Sequence, residues 1–230
     1  MKKVASRGAP PPLDRLLLDA ATAPYRSAGR FAYHFARGKL SRDPAFGTIV
    51  QRGWIRPGSR VLDLGCGQGL LASLLLAADS GCQVRGIELM PTDARRANVA
   101  LAGAADIVCG DIRHEDFGAA DVAVILDVLH YIDYAAQDQV LRRLRAALQP
   151  DGLLLLRVGD ADAGLPFRLG NLVDHVVVFV RGHRLVRLYC RPLTQWRKAL
   201  ESLGFGVEVM PMSHGTPFAN VLLKARLRNS

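Results

Sequence analysis

Between residues 60 and 158 the chain alternates short, nearly continuous apolar runs with longer stretches of helical period. The runs at 60–64, 83–88, 106–109, 122–127 and 153–158 have the length of strands, and the fifth reads as fully apolar. Such runs belong to strands buried on both faces, as in a parallel sheet. Helical patterning lies between them at 70–78, 92–101 and 133–148. Strand and helix in alternation specify a doubly wound, mostly parallel sheet. The pattern then breaks. Residues 159–192 form an insertion whose apolar stretch, 172–180, suits helix or strand equally. Thr194 caps an expected helix at 195–203, Gly204 ends it, and 206–212 and 220–226 read as two last strands. The short loop at 214–217 lets them pair as an antiparallel hairpin. The expected fold is α/β, a seven-stranded sheet with an antiparallel edge hairpin.

Ahead of the sheet, residues 1–12 read as a tail, while 13–21 and 25–40 have helical patterning rich in aromatic and basic side chains. Asp43 followed by Pro44 is a helix start, with Asp as N-cap and Pro at the first helical position, and that helix runs to about Trp54. Residues 1–55 are thus expected to be a tail and helical cap. Residues 56–230 form the sheet domain, with 159–192 on its substrate side.

Composition narrows the class. The 230 residues suit one α/β core with decorations, and the content of 50% hydrophobic and 22% charged residues is that of a folded chain. The formal charge of +9 suits a partner carrying phosphates or carboxylates, but the basic residues are scattered, so charge alone selects none. Cys66, Cys82, Cys109 and Cys190 form no CxxC pair and no zinc-spaced cluster, so no metal is expected and a reduced, cytoplasmic setting is. Residues 1–13 lack the apolar core of a signal peptide, and no apolar run approaches the ~20 residues of a membrane span.

Candidate chemistry gathers at the strand ends, where open α/β sheets bind ligands. The first strand runs into Gly65, Cys66, Gly67, Gln68 and Gly69, whose alternating glycines allow close approach of backbone to a ligand. Glycine turns also occur where nothing binds, so the motif needs support. Glu88 supplies it, about twenty residues on, where an acid can accept from ribose hydroxyls. Asp111 ends the third strand, and Asp127, His130 and Tyr131 follow the fourth. A dinucleotide fingerprint would want glycine where Leu70 stands, which weighs against an NAD-dependent oxidoreductase.

These residues resemble the class I S-adenosylmethionine-dependent methyltransferases, in their small-molecule branch. VLDLGCGQG at 61–69 resembles that family's first motif, and Glu88 its ribose-binding acid. Cys109-Gly110-Asp111 is similar to its adenine-side motif, ADVAVILDVLHY at 120–131 to its fourth-strand motif, and LQPDGLL at 148–154 to its turn into the fifth strand. The resemblance implies a Rossmann-like methyltransferase fold with S-adenosyl-L-methionine as cofactor and S-adenosyl-L-homocysteine as product. It places Asp63, Gly65, Cys66, Gly67 and Gly69 at the methionine part, Glu88 on the ribose, Asp111 on the adenine amino group and Ile112 against the base. Leu89 and Met90 would cover the other face of the base or merely pack in the core. Asp127 would line the cofactor site, and Asp127, His130 and Tyr131 stand where a methyl acceptor would sit. His130 suits a general base, and equally a helix start packed beneath the site.

The fourth strand ends in Asp127-Val128-Leu129-His130 and not in the Asn/Asp-Pro-Pro-aromatic segment of amino methyltransferases, which favours an oxygen or carbon acceptor. Tyr25, Arg26, Phe31, Tyr33, His34 and Phe35 in the cap suit an aryl or acyl small molecule. So do Phe167, Arg168, Asn171, His175, His183, Arg187 and Tyr189 in the insertion. A fainter resemblance to methyltransferases of bacterial aryl-polyene and fatty-acid-like clusters implies a substrate delivered on an acyl carrier protein. The alternative is an RNA-modifying or nucleic-acid-binding protein on the same fold, which would need clustered Lys/Arg that the chain does not show.

Overall fold

A computed structural model describes residues 13–159, 188–212 and 220–228. Three helices lead, α1 (Arg15–Thr22), α2 (Arg30–Arg42) and α3 (Pro44–Gln51), with a 3-10 turn, Ala23–Arg26, after the first. The sheet then alternates β1 (Arg60–Leu64), α4 (Leu70–Ala77), β2 (Gln83–Glu88), α5 (Pro91–Leu101), β3 (Asp106–Cys109) and β4 (Ala120–Leu126). It continues through a 3-10 turn, Leu129–Tyr131, α6 (Tyr134–Ala147) and β5 (Leu148–Gly159), and ends with α7 (Leu193–Ser202), β6 (Phe205–Pro211) and β7 (Asn220–Leu227).

The strands stand in the order β3-β2-β1-β4-β5-β7-β6. The first five are parallel, and β7 runs antiparallel to both β5 and β6, so the expected edge hairpin is present. The order reverses between β1 and β4, which opens the crevice outside their carboxyl ends.

Alternation along each strand sends side chains to two cores. Val61, Val122, Val124, Leu153 and Leu155 pack with α4, α5 and the N-terminal helices. Leu62, Leu64, Ile125, Leu154 and Leu156 pack with Val140, Leu141 and Leu144 of α6 and with Trp196 and Leu200 of α7. The cap is continuous with the first core, since Ala21, Tyr25, Leu40, Phe46 and Ile49 are all buried in it. Asp43 caps α3 by accepting from the Ala45 N–H at 3.0 Å, as expected.

Four expectations change. The helical stretch at 25–40 divides, because Gly29 at φ 106 resets the chain before α2. Helix α7 starts one residue ahead of Thr194, directly after Pro192, so Thr194 lies inside it and caps nothing. Strand β4 ends at Leu126, and Asp127 turns out of the ladder at φ 59. The fifth strand is not fully apolar, because Arg157 stands in it with only 3% of its surface exposed. The apolar stretch at 172–180 and the loop at 214–217 lie outside the described residues.

Candidate active site

The glycine turn between β1 and α4 holds Gly65, Gly67 and Gly69 at φ 73, 58 and 72, in the left-handed region that other residues rarely adopt. Their surroundings differ. A Cβ on Gly65 would lie 2.3 Å from Val128 Cγ2, and one on Gly69 would lie 2.8 Å from Leu101 Cδ1. Those two glycines admit neighbouring elements. A Cβ on Gly67 would meet nothing within 4 Å, so this is the point of the turn with room for a ligand.

Glu88, at the end of β2, closes one side. Its two oxygens accept from the Gly67 N–H and the Met90 N–H, each at 2.8 Å, so the acid is tied to the glycine turn. Asp63 lies beneath at the end of β1, only 6% exposed. Burial first, and then the nearby Glu88 charge, push its pKa up to about 7. Burial also raises the Cys66 thiol well above its usual range, which makes it a packing group and not a nucleophile.

The loop after β3 is held separately. Asp111 accepts from the Arg113 backbone at 2.9 Å and from its guanidinium, which holds the carboxyl below the usual carboxylate range. Arg143 of α6 lies over the Phe117 ring at 4.3 Å and donates to the carbonyls of Ile112, at 2.8 Å, and Glu115. Ile112 is buried, whereas Leu89, next to Glu88, is 59% exposed.

Beyond β4, His130 and Tyr131 share the 3-10 turn with ring centroids 4.1 Å apart. Their turn is tied to the last residues of the insertion: the Tyr189 N–H donates to the His130 carbonyl at 2.8 Å. The side-chain nitrogen of buried Gln137 lies 2.9 Å from the Leu129 carbonyl, 3.0 Å from that of Ile132 and 2.8 Å from that of Tyr189, so its two protons are shared among three acceptors. Arg191 adds a pair with Asp138 at 2.7 Å.

The sheet thus brings Asp63, Gly65, Cys66, Gly67, Gly69 and Glu88 together, with Leu89, Asp111 and Ile112 on the β2 and β3 side and Asp127, His130 and Tyr131 on the β4 side. Two contributors escape a sequence reading, and a third, Tyr25, expected to line a substrate site, is buried with a different role. Tyr25, fully buried, donates from its hydroxyl to the Gln68 carbonyl at 2.7 Å, in the middle of the glycine turn. Gln137 and Arg157 act at separations of 52 and 30 residues, and neither partner is visible in the local pattern of its helix or strand. Polarity inside an apolar run was the one available signal for Arg157.

A glycine turn with a buried acid beside it, at the switch point of a doubly wound sheet, is where such folds bind nucleotide-type ligands. The family model for a methyltransferase domain matches residues 33–208. The chain belongs to that family, the class I S-adenosylmethionine-dependent methyltransferases.

A carboxy-S-adenosyl-L-methionine synthase from Chromohalobacter salexigens is 35% identical over 117 residues, covering 48% of this chain and 43% of that protein. The chain therefore matches less than half the length of this curated relative. The magnesium protoporphyrin IX methyltransferase of Synechocystis PCC 6803, solved with bound SAH, superposes with a TM-score of 0.61 at 20% identity over 90% of this chain and 94% of its own. A cyclase superposes with a TM-score of 0.63 at 20% identity, over 83% of each chain. Likenesses this remote establish the fold alone, and the cyclase illustrates that one fold carries several reactions.

Among the described residues, no helix is long and apolar enough to cross a membrane.

Proposed function

We propose that this chain transfers a methyl group from S-adenosylmethionine to an oxygen or carbon of a small molecule. The observation that carries the reading is the joint of Glu88 and Gly67: a buried acid bonded to the one glycine of the turn that faces open space. In this reading Glu88 holds the ribose diol, Asp111 accepts from the adenine amino group, and Ile112 and exposed Leu89 lie against the base. Asp63 and the glycine turn take the amino-acid end. When bound, the cofactor supplies an activated methyl group on a sulfonium. The chain's own task is then to orient an acceptor and exclude water, which needs no covalent help from protein. His130 and Tyr131 stand on the acceptor side, where the imidazole can take a hydroxyl proton. An aryl or acyl acceptor, carried on an acidic carrier protein, suits the net charge of +9.

Calorimetric titration with S-adenosylmethionine and S-adenosylhomocysteine tests the reading, and a folded protein that binds neither overturns it. Glu88→Ala should weaken binding by about 1–3 kcal/mol through loss of hydrogen bonds to a charged group. Unchanged affinity takes Glu88 out of the site.

The 35% identity to a carboxy-S-adenosyl-L-methionine synthase supports a second reading, in which the cofactor itself is modified: its methyl carbon loses a proton and takes a carboxyl group from a second, carboxyl-donating substrate. Mass spectrometry of the nucleoside product separates the two: S-adenosylhomocysteine for methyl transfer, a carboxylated sulfonium for the other.

A further inference from the structure

Strand β5 carries one buried charge in a run of leucines. The guanidinium of Arg157 lies between two carboxylates and meets both with paired contacts. Its Nε donates to Asp127 Oδ1 at 2.9 Å and its Nη2 to Asp127 Oδ2. On the other side Nη2 donates to Asp43 Oδ2 at 2.8 Å and Nη1 to Asp43 Oδ1. Asp43 is at the same time the N-cap of α3 and a partner of Lys39 at 2.9 Å. The side chains of Arg157 and Asp43 are 3% and 7% exposed, while that of Asp127 is 30% exposed. A continuous ionic chain therefore runs from the helical cap, through the sheet, to a carboxylate at the crevice.

Stability alone is a weak reason for this arrangement, since a buried ion cluster is often no better than apolar side chains of the same volume. A leucine at 157 would continue the packing of Leu153 and Leu155. Asp127 is unusual in a second way, being held at φ 59, where an L residue is strained and Asp or Asn is best tolerated. Strain and buried charge converge on one partly exposed carboxylate at the switch point, the kind of place where function retains both. The next residue, Val128, seats against Gly65, so any shift of Asp127 reaches the cofactor turn directly.

We propose that Arg157 is a positioning residue for the cofactor site: it fixes the Asp127 carboxylate and backbone at the end of β4, and Asp43 holds Arg157 from the cap. Arginine suits the position because its planar fork makes paired contacts with two carboxylates at once, which the single ammonium of a lysine cannot do. Two of the four lone-pair sites of Asp127 stay available to a donor in the crevice. The inference rests on the proposal that this crevice binds S-adenosylmethionine.

The test is S-adenosylhomocysteine affinity of the full chain, measured by calorimetry well below each variant's melting midpoint. The set is wild type, Arg157→Lys, Asp127→Asn, their double variant and Asp43→Asn. Asn at 127 tolerates the left-handed backbone, and Asn at 43 still caps α3, so these variants change charge with little change of fold. Arg157→Lys and Asp127→Asn should each weaken binding about tenfold, and Asp43→Asn should weaken it by a smaller factor. The double variant should bind no more weakly than Asp127→Asn, because Arg157 acts through Asp127. Full affinity in Arg157→Lys overturns the proposal, as does a loss in the double variant equal to the product of the single losses. If Arg157→Lys does not fold, unchanged affinity in Asp43→Asn overturns it. A lowered melting midpoint without any loss of affinity shows a purely structural role. Absence of binding by the wild type overturns this proposal and the functional one together, whereas binding by the wild type and by every variant overturns only this one.

Discussion

At the scale of single residues, the site concentrates groups in environments that oppose their preferred states. Asp63 is the clearest case. Its pKa of about 7 against a reference of 3.8 means that the folded protein binds a proton that the unfolded chain releases. Folding stability should therefore fall as pH rises from about 4 to about 7 and level off above, by up to about 4 kcal/mol for this group. Asp63→Asn removes that slope, so the variant should melt higher than wild type at pH 8 and similarly at pH 4. Thermal melts at the two values check it. Asp43 acts with the opposite sign. Burial works against its charge, but Arg157 and Lys39 hold the carboxyl far below the usual range, so its contribution is present at neutral pH and fades in acid. Its two roles, helix cap and partner of Arg157, were only half legible: Asp43-Pro44 advertised the cap, while the guanidinium comes from 114 residues away.

At the scale of elements, most strands and helices were visible because the parallel core imposes an almost unbroken apolar run on each strand. β2 and β3 match their expected limits residue for residue. Where local signals misled, a stronger backbone rule prevailed, as with Gly29 dividing the N-terminal helices and Pro192 displacing Thr194 from the cap of α7. The first turns of α6 have a further duty that periodicity does not reveal. Gln137 ties Tyr189 to the turn bearing His130, next to the Arg191 and Asp138 pair. Gln137→Leu should release residues 188–190 while leaving α6 itself folded. Hydrogen exchange is the measurement, with faster exchange expected at the Tyr189 amide and unchanged protection at Val140 and Leu144.

At the scale of the whole molecule, the N-terminal helices are part of the sheet domain's core. Ser73 of α4 donates to the Ala21 carbonyl at 2.7 Å, and Tyr25 reaches the glycine turn. A chain lacking residues 1–51 would leave the α4 and α5 side of the sheet open to water. It should lose the cooperative thermal transition of the full chain and bind a hydrophobic dye, whereas retention of a sharp transition would show the cap to be dispensable.

The chain by itself determined the sheet class, the hairpin edge, the glycine turn and the acids at the strand ends. All of these depend on periodicity and on residues near each other along the chain, which local sterics and burial make readable. Only the tertiary structure decided that Gly67, and not its neighbours, faces open space, that Tyr25 supports the turn, and that Arg157 links Asp43 to Asp127. Those facts depend on contacts between elements dozens of residues apart, and a side chain's partner across such a distance leaves no mark in the pattern around it.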